Sequence, residues 1–267
     1  MTKKSTHKTD YENNPLFIVT KGITLLLNLA RNITAVLLAI SVLTFISGSG
    51  SWTYPTNNEM ESFVATLSGW SMDQWLFASA AACIFALAFI MISSLLGGVS
   101  SYTSAEIAKG KQVALSDAFH TAFEHLWSYV WLQIILFVKL LLWTLLFIVP
   151  GIYFSFRYSL AGVAFYDSKK NLRGDAAIQE SLRLTKNGWI TTFTSNILFN
   201  LLTLGVLKSI VTTGVNAMLY KQFESVGDKK PPAHWISWYV LIFASIALAT
   251  SLIFLIIDIA TNNVASL

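Results

Sequence analysis

The chain has 267 residues, of which 54% are hydrophobic and only 12% charged, with a formal net charge of +4 and a mean hydropathy of +0.59. A soluble domain of this length cannot hide so much apolar surface, so lipid must cover the remainder. Cys83 is the single cysteine, which excludes a disulfide framework and a cysteine-based metal site.

Residues 1–22 form a polar, basic tail, read as cytoplasmic. The apolar run that follows is about twice as long as a signal-peptide core, so it is expected to stay as an uncleaved first span. A bilayer core of about 30 Å needs roughly 20 apolar helical residues, and the blocks 23–47 and 75–99 each supply them. The block 126–166 is about twice that length; Pro150 and Gly151 divide it into spans at 126–149 and 151–166. The block 189–222 breaks at Gly205 into arms of about 16 residues, 189–204 and 207–222, slightly short of the usual span of about 17 to 25. A re-entrant pair is therefore the alternative there. A last span at 235–257 follows the Pro231–Pro232 break. The expected fold is an all-α, polytopic transmembrane bundle: a six-helix membrane core over 23–222 plus an additional C-terminal span.

Cationic residues collect on the cytosolic side of membrane proteins. Lys3, Lys4, Lys8 and Lys21 precede the first span, Lys109 and Lys111 follow the second, and Lys169, Lys170, Arg173, Arg183 and Lys186 follow the fourth. Lys221, Lys229 and Lys230 follow the sixth, whereas the 48–74 loop has no Lys or Arg but has Glu59, Glu61 and Asp73. Seven spans place every basic cluster inside, with the N-terminus cytoplasmic and the C-terminus outside. The positive-inside pattern accounts for the net charge, so no nucleic-acid partner is inferred.

Three stretches at the inner ends of the even spans are weakly alike: GGVSSYTS (97–104), AGVAFYDS (161–168) and TGVNAMLY (213–220). Each has Gly-Val followed by tyrosine near the membrane boundary, which suggests three tandem helical hairpins. Small residues and interfacial tyrosines recur widely in membrane proteins, and that is the alternative explanation. The linkers read as two amphipathic interfacial helices. In the first, Leu115, Ala118, Phe119, Ala122, Phe123 and Leu126 share one face. The second covers 175–187, with Asp175 as N-cap, Ile178 and Leu182 inward, and Gln179, Arg183 and Lys186 outward.

The stretches VPGIYFSFRYSLAGVAFYD, AIQESLRLTKNGW, LLTLGV and NAMLYKQF resemble an uncharacterised bacterial multi-pass membrane family, the YciC-like group, which is similar to the membrane domains found with some glycerophosphodiester phosphodiesterases. The matching pieces are Pro150 and Gly151, the segment Ser181, Lys186 and Trp189, the Thr203-Leu204-Gly205 break and Tyr220. They cover about residues 150–223. The resemblance implies a six-helix core in the plasma (inner) membrane and no agreed activity; this chain carries no phosphodiesterase domain.

Arg31, Lys139 and Arg157 fall inside the expected first, third and fourth spans, where a charge costs a few kcal/mol or more unless paired or solvated. The expected spans one to six contain no Asp or Glu. The three cations are therefore the candidates for binding an anion or a lipid headgroup, for which arginine's planar fork is suited; snorkelling to the inner surface is the plainer alternative. Asn28 with Asn32, and Asn196 with Asn200, are expected to hydrogen-bond between helices. Asp117, His120 and Glu124 share a helical face that could seat a metal, although a solvated face explains them too; His7, His125 and His234 show no ligand spacing. No phosphate loop, nucleophile elbow or zinc motif is present. The expected function is non-enzymatic, without catalytic residue, metal or cofactor: a scaffold or envelope-associated protein that meets membrane lipids through anionic headgroups at the cytoplasmic face. The alternative is a small transporter or channel for an anionic solute or lipid using Arg157 and Lys139.

Overall fold

The computed structural model describes residues 11–48, 57–203 and 205–265, and among them the chain is entirely helical. The basic tail with Lys3, Lys4, His7 and Lys8, the tip of the first loop and Leu204 lie outside the described residues.

Asn14 opens α1 (Pro15–Leu29), its side chain accepting the Leu16 N–H, with proline at the first helical position where a missing N–H costs nothing. The expected first span is not one helix. α1 and α2 (Arg31–Gly48) meet at Ala30 with a bend of 119°. α1 starts at Pro15, ahead of the block that began at residue 23, and it buries Ile18, Val19, Gly22 and Leu26 in protein. After α3 (Asn57–Ser68), α4 runs from Met72 to Ala108. A reciprocal capping box starts it: Gln74 N–H donates to the Ser71 hydroxyl, and Ser71 N–H donates to the Gln74 side chain. Its 37 residues make it about 55 Å long, well beyond a bilayer core. The outer stretch around Phe77, Phe85 and Phe89 is bare, whereas Gly98 to Ala108 is largely enclosed by protein.

α5 (Leu115–Glu124) is the first expected interfacial helix. Ala118 and Ala122 are buried and Leu115 and Phe119 partly so, but Phe123 is 70% exposed and leaves the predicted face. α6 (Leu126–Leu146) and α7 (Ile148–Arg157) form a tight hairpin. The break falls at Phe147, which is extended (φ −161°, ψ 146°), so Pro150 sits in the first turn of α7 rather than at the turn itself. Gly151 is needed for packing: a Cβ there would lie 2.5 Å from the Thr144 hydroxyl. Trp143 stacks on Phe154 at 4.1 Å and donates from its indole to the Tyr158 hydroxyl (3.2 Å). α8 (Ala161–Phe165) completes the expected fourth span after a short interruption.

In α9 (Asp175–Thr185) the N-cap is Gly174, at φ +50°, and Asp175 is the first helical residue rather than the cap. The block 189–222 becomes α10 (Trp189–Leu202) and α11 (Lys208–Val226), with Gly205 at φ +79° in the break as expected. α12 (Trp235–Ala265) follows the proline pair.

Four segments among the described residues are long and apolar enough to cross a membrane: Met72–Ala108, Leu126–Leu146, Ile148–Phe165 and Trp235–Phe254; the bent α1–α2 pair makes a fifth if counted as one. α10 and α11 are not among them, so the expectation of seven full spans is not met by length and hydropathy. α11 is instead buried along most of its course, between α1, α2, α4 and α10.

α1 and α11 approach each other backbone to backbone. A Cβ on Gly22 would lie 2.6 Å from the Gly214 carbonyl oxygen, and one on Gly214 would lie 2.7 Å from the Gly22 carbonyl. Only glycine at both positions lets the helices cross at this distance. Replacing Gly22 or Gly214 by Ala is expected to destabilise the fold by about 2–3 kcal/mol through overpacking against rigid backbone, read as a lowered melting temperature in detergent. Replacing the exposed Leu27 by Ala on the same helix should have little effect.

Candidate functional site

The three similar stretches of sequence meet in one place. The Ser100 and Thr213 hydroxyls lie 2.6 Å apart, the Ser104 hydroxyl donates to the Thr213 carbonyl (2.8 Å), and the rings of Tyr102 and Tyr166 pack edge to face at 5.9 Å. The Tyr220 hydroxyl donates to Asp167 Oδ2 (2.7 Å). Tyr102 and Tyr166, which share a position in the pattern, and Tyr220, two positions later in its own stretch, thus cluster beside Asp167.

Asp167 is the centre of a buried knot of charge, only 1% exposed, as is Tyr220; Glu106 is 6% exposed. Lys109 Nζ reaches Glu106 Oε1 at 2.8 Å and Asp167 Oδ1 at 3.1 Å, and Lys111 reaches Glu106 Oε2 at 2.7 Å. The Lys169 N–H also donates to Asp167 Oδ1 (3.1 Å). Burial by itself raises the Asp167 carboxyl, but Tyr220, Lys109 and the Lys169 amide outweigh it and hold the group below the ordinary aspartate range. Burial likewise lowers Lys109, and the two carboxylates reverse this and raise it. A second cluster lies alongside, where Lys170 pairs with Glu180 (2.8 Å) and Glu224 (3.1 Å), and Arg183 pairs with Glu180 (2.7 Å). Arg183 above all pulls the Glu180 carboxyl down to about 2.

The three cations singled out from the sequence are not brought together. Lys139 is half-buried and forms an ion pair with Asp175, because the segment before α9 folds back along α6. Arg157 donates from Nη2 to the Leu182 carbonyl (2.5 Å) and from Nη1 to the Tyr153 hydroxyl (3.2 Å), with the guanidinium 5.5 Å from the centre of the Tyr153 ring. Its own carbonyl accepts from Ser181 (2.7 Å) and Thr185 (3.2 Å). Arg157 thus staples the end of α7 to α9. Arg31 is exposed and lines an open polar cavity of about 350 Å³ with Asn28, Asn32, Gln112 and Asp117.

Asn196 and Asn200 do not bridge helices through their amides. Each donates within α10, to the carbonyls of Thr192 (2.9 Å) and Asn196 (2.6 Å). Asp117, His120 and Glu124 form no metal-sized cluster, and no group of three His, Cys, Asp or Glu does so among the described residues.

Two adjoining cavities were not foreseen. A groove of about 670 Å³ runs along α6, lined by Trp127, Ser128, Val130, Trp131, Ile134 and the Arg173–Gly174 pair. A pocket of about 220 Å³ holds Tyr102, Thr121, His125, Tyr166, Asn171 and again Arg173 among its walls. A third, largely apolar cavity of about 440 Å³ lies between α7, α10 and α12, next to Tyr153, Phe156, Trp189 and Phe193. The sequence did signal Asp167, an acid one residue past a buried tyrosine in a repeated pattern, but the partners Lys109 and Tyr220 lie 58 and 53 residues away from it in sequence (167 − 109 and 220 − 167).

Comparison with known protein families, curated proteins and solved structures finds no match to this chain.

Asp167→Asn removes the charge that Lys109 and Tyr220 share while Glu106 still holds Lys109, so the cost falls at about 3 kcal/mol, the low end for breaking a buried pair. The Asp167 carboxyl is held below 3.8, its ordinary value, so its contribution to stability is complete above that pH and is lost as pH falls through the folded-state value. Thermal unfolding in detergent should therefore show a clear gap between wild type and Asp167→Asn at pH 7. The gap should narrow progressively as the pH falls below 3.8; a gap that persists undiminished there would count against the charge as its cause.

Proposed function

We propose that the chain is a non-enzymatic, multi-pass protein of the bacterial plasma membrane, a scaffold whose cytosolic-side cations engage anionic lipid headgroups. The observation that carries this reading is how the charges divide. Glu106, Lys109, Asp167, Lys170 and Glu180 are spent on one another in ion pairs. In contrast, Lys169, Arg173, Lys186 and Lys221 are exposed and have no ion-pair partner among the described residues. Such residues attract an anionic leaflet by about 1 kcal/mol each. The YciC-like resemblance is part of the same proposal and supplies the bacterial, inner-membrane setting. The transporter alternative needs Lys139 and Arg157 on one path, and neither side chain lines the cavities set out above.

The topology that fits best has five crossings, made by α2, α4, α6, α7 with α8, and α12, with α10 and α11 as a re-entrant pair entered from the cytosol. Ser209 N–H reaches the Ser41 hydroxyl (3.3 Å) at one end of α11, and Tyr220 reaches Asp167 at the other. That distance is about 17 Å at helical rise, roughly half a bilayer core. Five crossings or seven leave the termini on opposite faces and every described basic cluster inside. Alkaline phosphatase fused behind Leu267 should be active and a fluorescent protein fused there dark; the reverse pattern would overturn the orientation.

The lipid reading is tested by heating the purified protein in neutral detergent with added phosphatidylglycerol or phosphatidylcholine. Phosphatidylglycerol should raise the melting temperature by about 5 °C or more when present well above its dissociation constant, with a smaller rise for phosphatidylcholine. Equal shifts from the two lipids would sink the headgroup reading.

A further inference from the structure

Arg173 lines two cavities that differ in character. On one side lies the groove along α6, where Trp127 is 74% and Trp131 61% exposed, with Val130 and Ile134 between them. On the other lies a small pocket between aromatic rings, to which the polar side chains of Thr121, His125 and Asn171 contribute. The Arg173 guanidinium is fixed in place by one donated bond from Nη1 to the Phe165 carbonyl (3.2 Å) and by lying 4.6 Å from the centre of the Phe165 ring. Arginine has five N–H donors, so the remaining ones are left for a ligand, and no carboxylate among the described residues pairs with them.

The other donors in the pocket are also unspent. The side chains of Thr121, His125 and Asn171 make no hydrogen bond among the described residues, and His125 and Asn171 are placed by their surroundings. The His125 ring lies 6.4 Å from that of Tyr166, and Asn171 is held at φ +47° in the turn whose N–H donates to the Asp167 carbonyl. Asp167 also borders this pocket, but its carboxylate is already engaged by Lys109, Tyr220 and the Lys169 amide. The small pocket therefore offers several donors, with its one lining carboxylate neutralised. The adjoining groove has the volume of an ordinary ligand cleft, for which about 300–1,000 Å³ is typical.

We propose that this pair of cavities is a phospholipid-binding site: Arg173, with Asn171, His125 and Thr121, holds the phosphodiester, and an acyl chain lies in the groove against Trp127, Val130, Trp131 and Ile134. The inference deepens the lipid-engaging reading above and rests on it. Two features commit the site to a phospholipid rather than to a free anion or a neutral lipid. The anion-binding donors open directly onto an apolar groove, and arginine's fork matches two phosphate oxygens at once. The exposed tryptophans are the side chains that sit at the level of lipid headgroups.

The test is native mass spectrometry of the full chain in detergent, titrated separately with phosphatidylglycerol, diacylglycerol of the same acyl chains, and inorganic phosphate. Wild type should retain one phosphatidylglycerol, with diacylglycerol and inorganic phosphate each bound at least 10-fold more weakly. Arg173→Gln should weaken phosphatidylglycerol about 10-fold and leave diacylglycerol unchanged. Arg173 is exposed, so the variant should fold; its melting temperature without lipid checks this, and His125→Ala with Asn171→Ala provides an independent second variant that should weaken binding in the same way. Phosphatidylglycerol with brominated acyl chains should quench wild-type tryptophan fluorescence more than that of the Trp127→Phe, Trp131→Phe double variant. Binding by both pocket variants within twofold of wild type overturns the site. So does equal affinity for diacylglycerol, which means the groove acts alone, or for inorganic phosphate, which means a free-anion site. If phosphatidylglycerol still stabilises Arg173→Gln against heat as it does wild type, the general lipid reading survives and only this site falls. If wild type binds no phosphatidylglycerol at all, both fall.

Discussion

The charged end of this protein is organised by how one carboxylate is satisfied. Asp167 follows α8, Lys109 follows α4, and Tyr220 lies on α11, so a single neutralised acid ties three helix ends together. Desolvating such charges is costly, and the net stability gained is small. What the arrangement supplies is intolerance of alternatives, since any shift of one helix end strands a partner without water. The glycine contact between α1 and α11 acts in the same direction by different means. Gly22 and Gly214 leave no room for even a methyl group, so the crossing point of those helices is fixed by backbone against backbone.

The two solvents explain the contrast between the halves of the molecule. Toward the charged end, helices are wrapped by protein, and buried Thr191, Thr192, Thr194 and Ser195 appear in a run that would be expensive in lipid. Much of that cost is met internally: Thr192 and Thr194 donate to carbonyls four residues earlier, and the hydroxyls of Thr194 and Ser237 lie 3.0 Å apart. Away from that end, α4 and α12 present Phe77, Phe85, Phe243 and Phe254 with almost no cover. Helices satisfy their own backbone and so can stand singly in hydrocarbon, where an exposed loop could not.

Hydropathy made the helical class legible, along with the apolar blocks that became α4, α6, α7 and α12, because lipid exposure imposes a composition that no loop can imitate. It left α10 and α11 open between two spans and a re-entrant pair, because it counts apolar residues without asking what they face. Ile210, Val211 and Leu219 are buried in protein rather than in lipid, and only tertiary contacts distinguish the two. The repeated Gly-Val and tyrosine pattern pointed to equivalent helix ends, and those ends do meet. Their meeting through Asp167 was invisible, because pairing over more than 50 residues leaves no local spacing to read.

The charged side chains in apolar blocks carry the more general lesson. Lys139 and Arg157 attracted attention because an isolated charge in a span is costly, yet each answers that cost locally, through Asp175 and through the Leu182 carbonyl. A cation that must be satisfied for the chain to fold is poorly available to a ligand. Arg173 attracted little attention because a loop arginine is cheap to place in water. Cheap placement is what leaves its donors unspent, and position beside an apolar groove and three idle side chains gives those donors something to do. In a membrane protein of this kind, the search for a binding site is therefore better guided by unspent donors at the edge of the apolar region than by the most deeply placed charge.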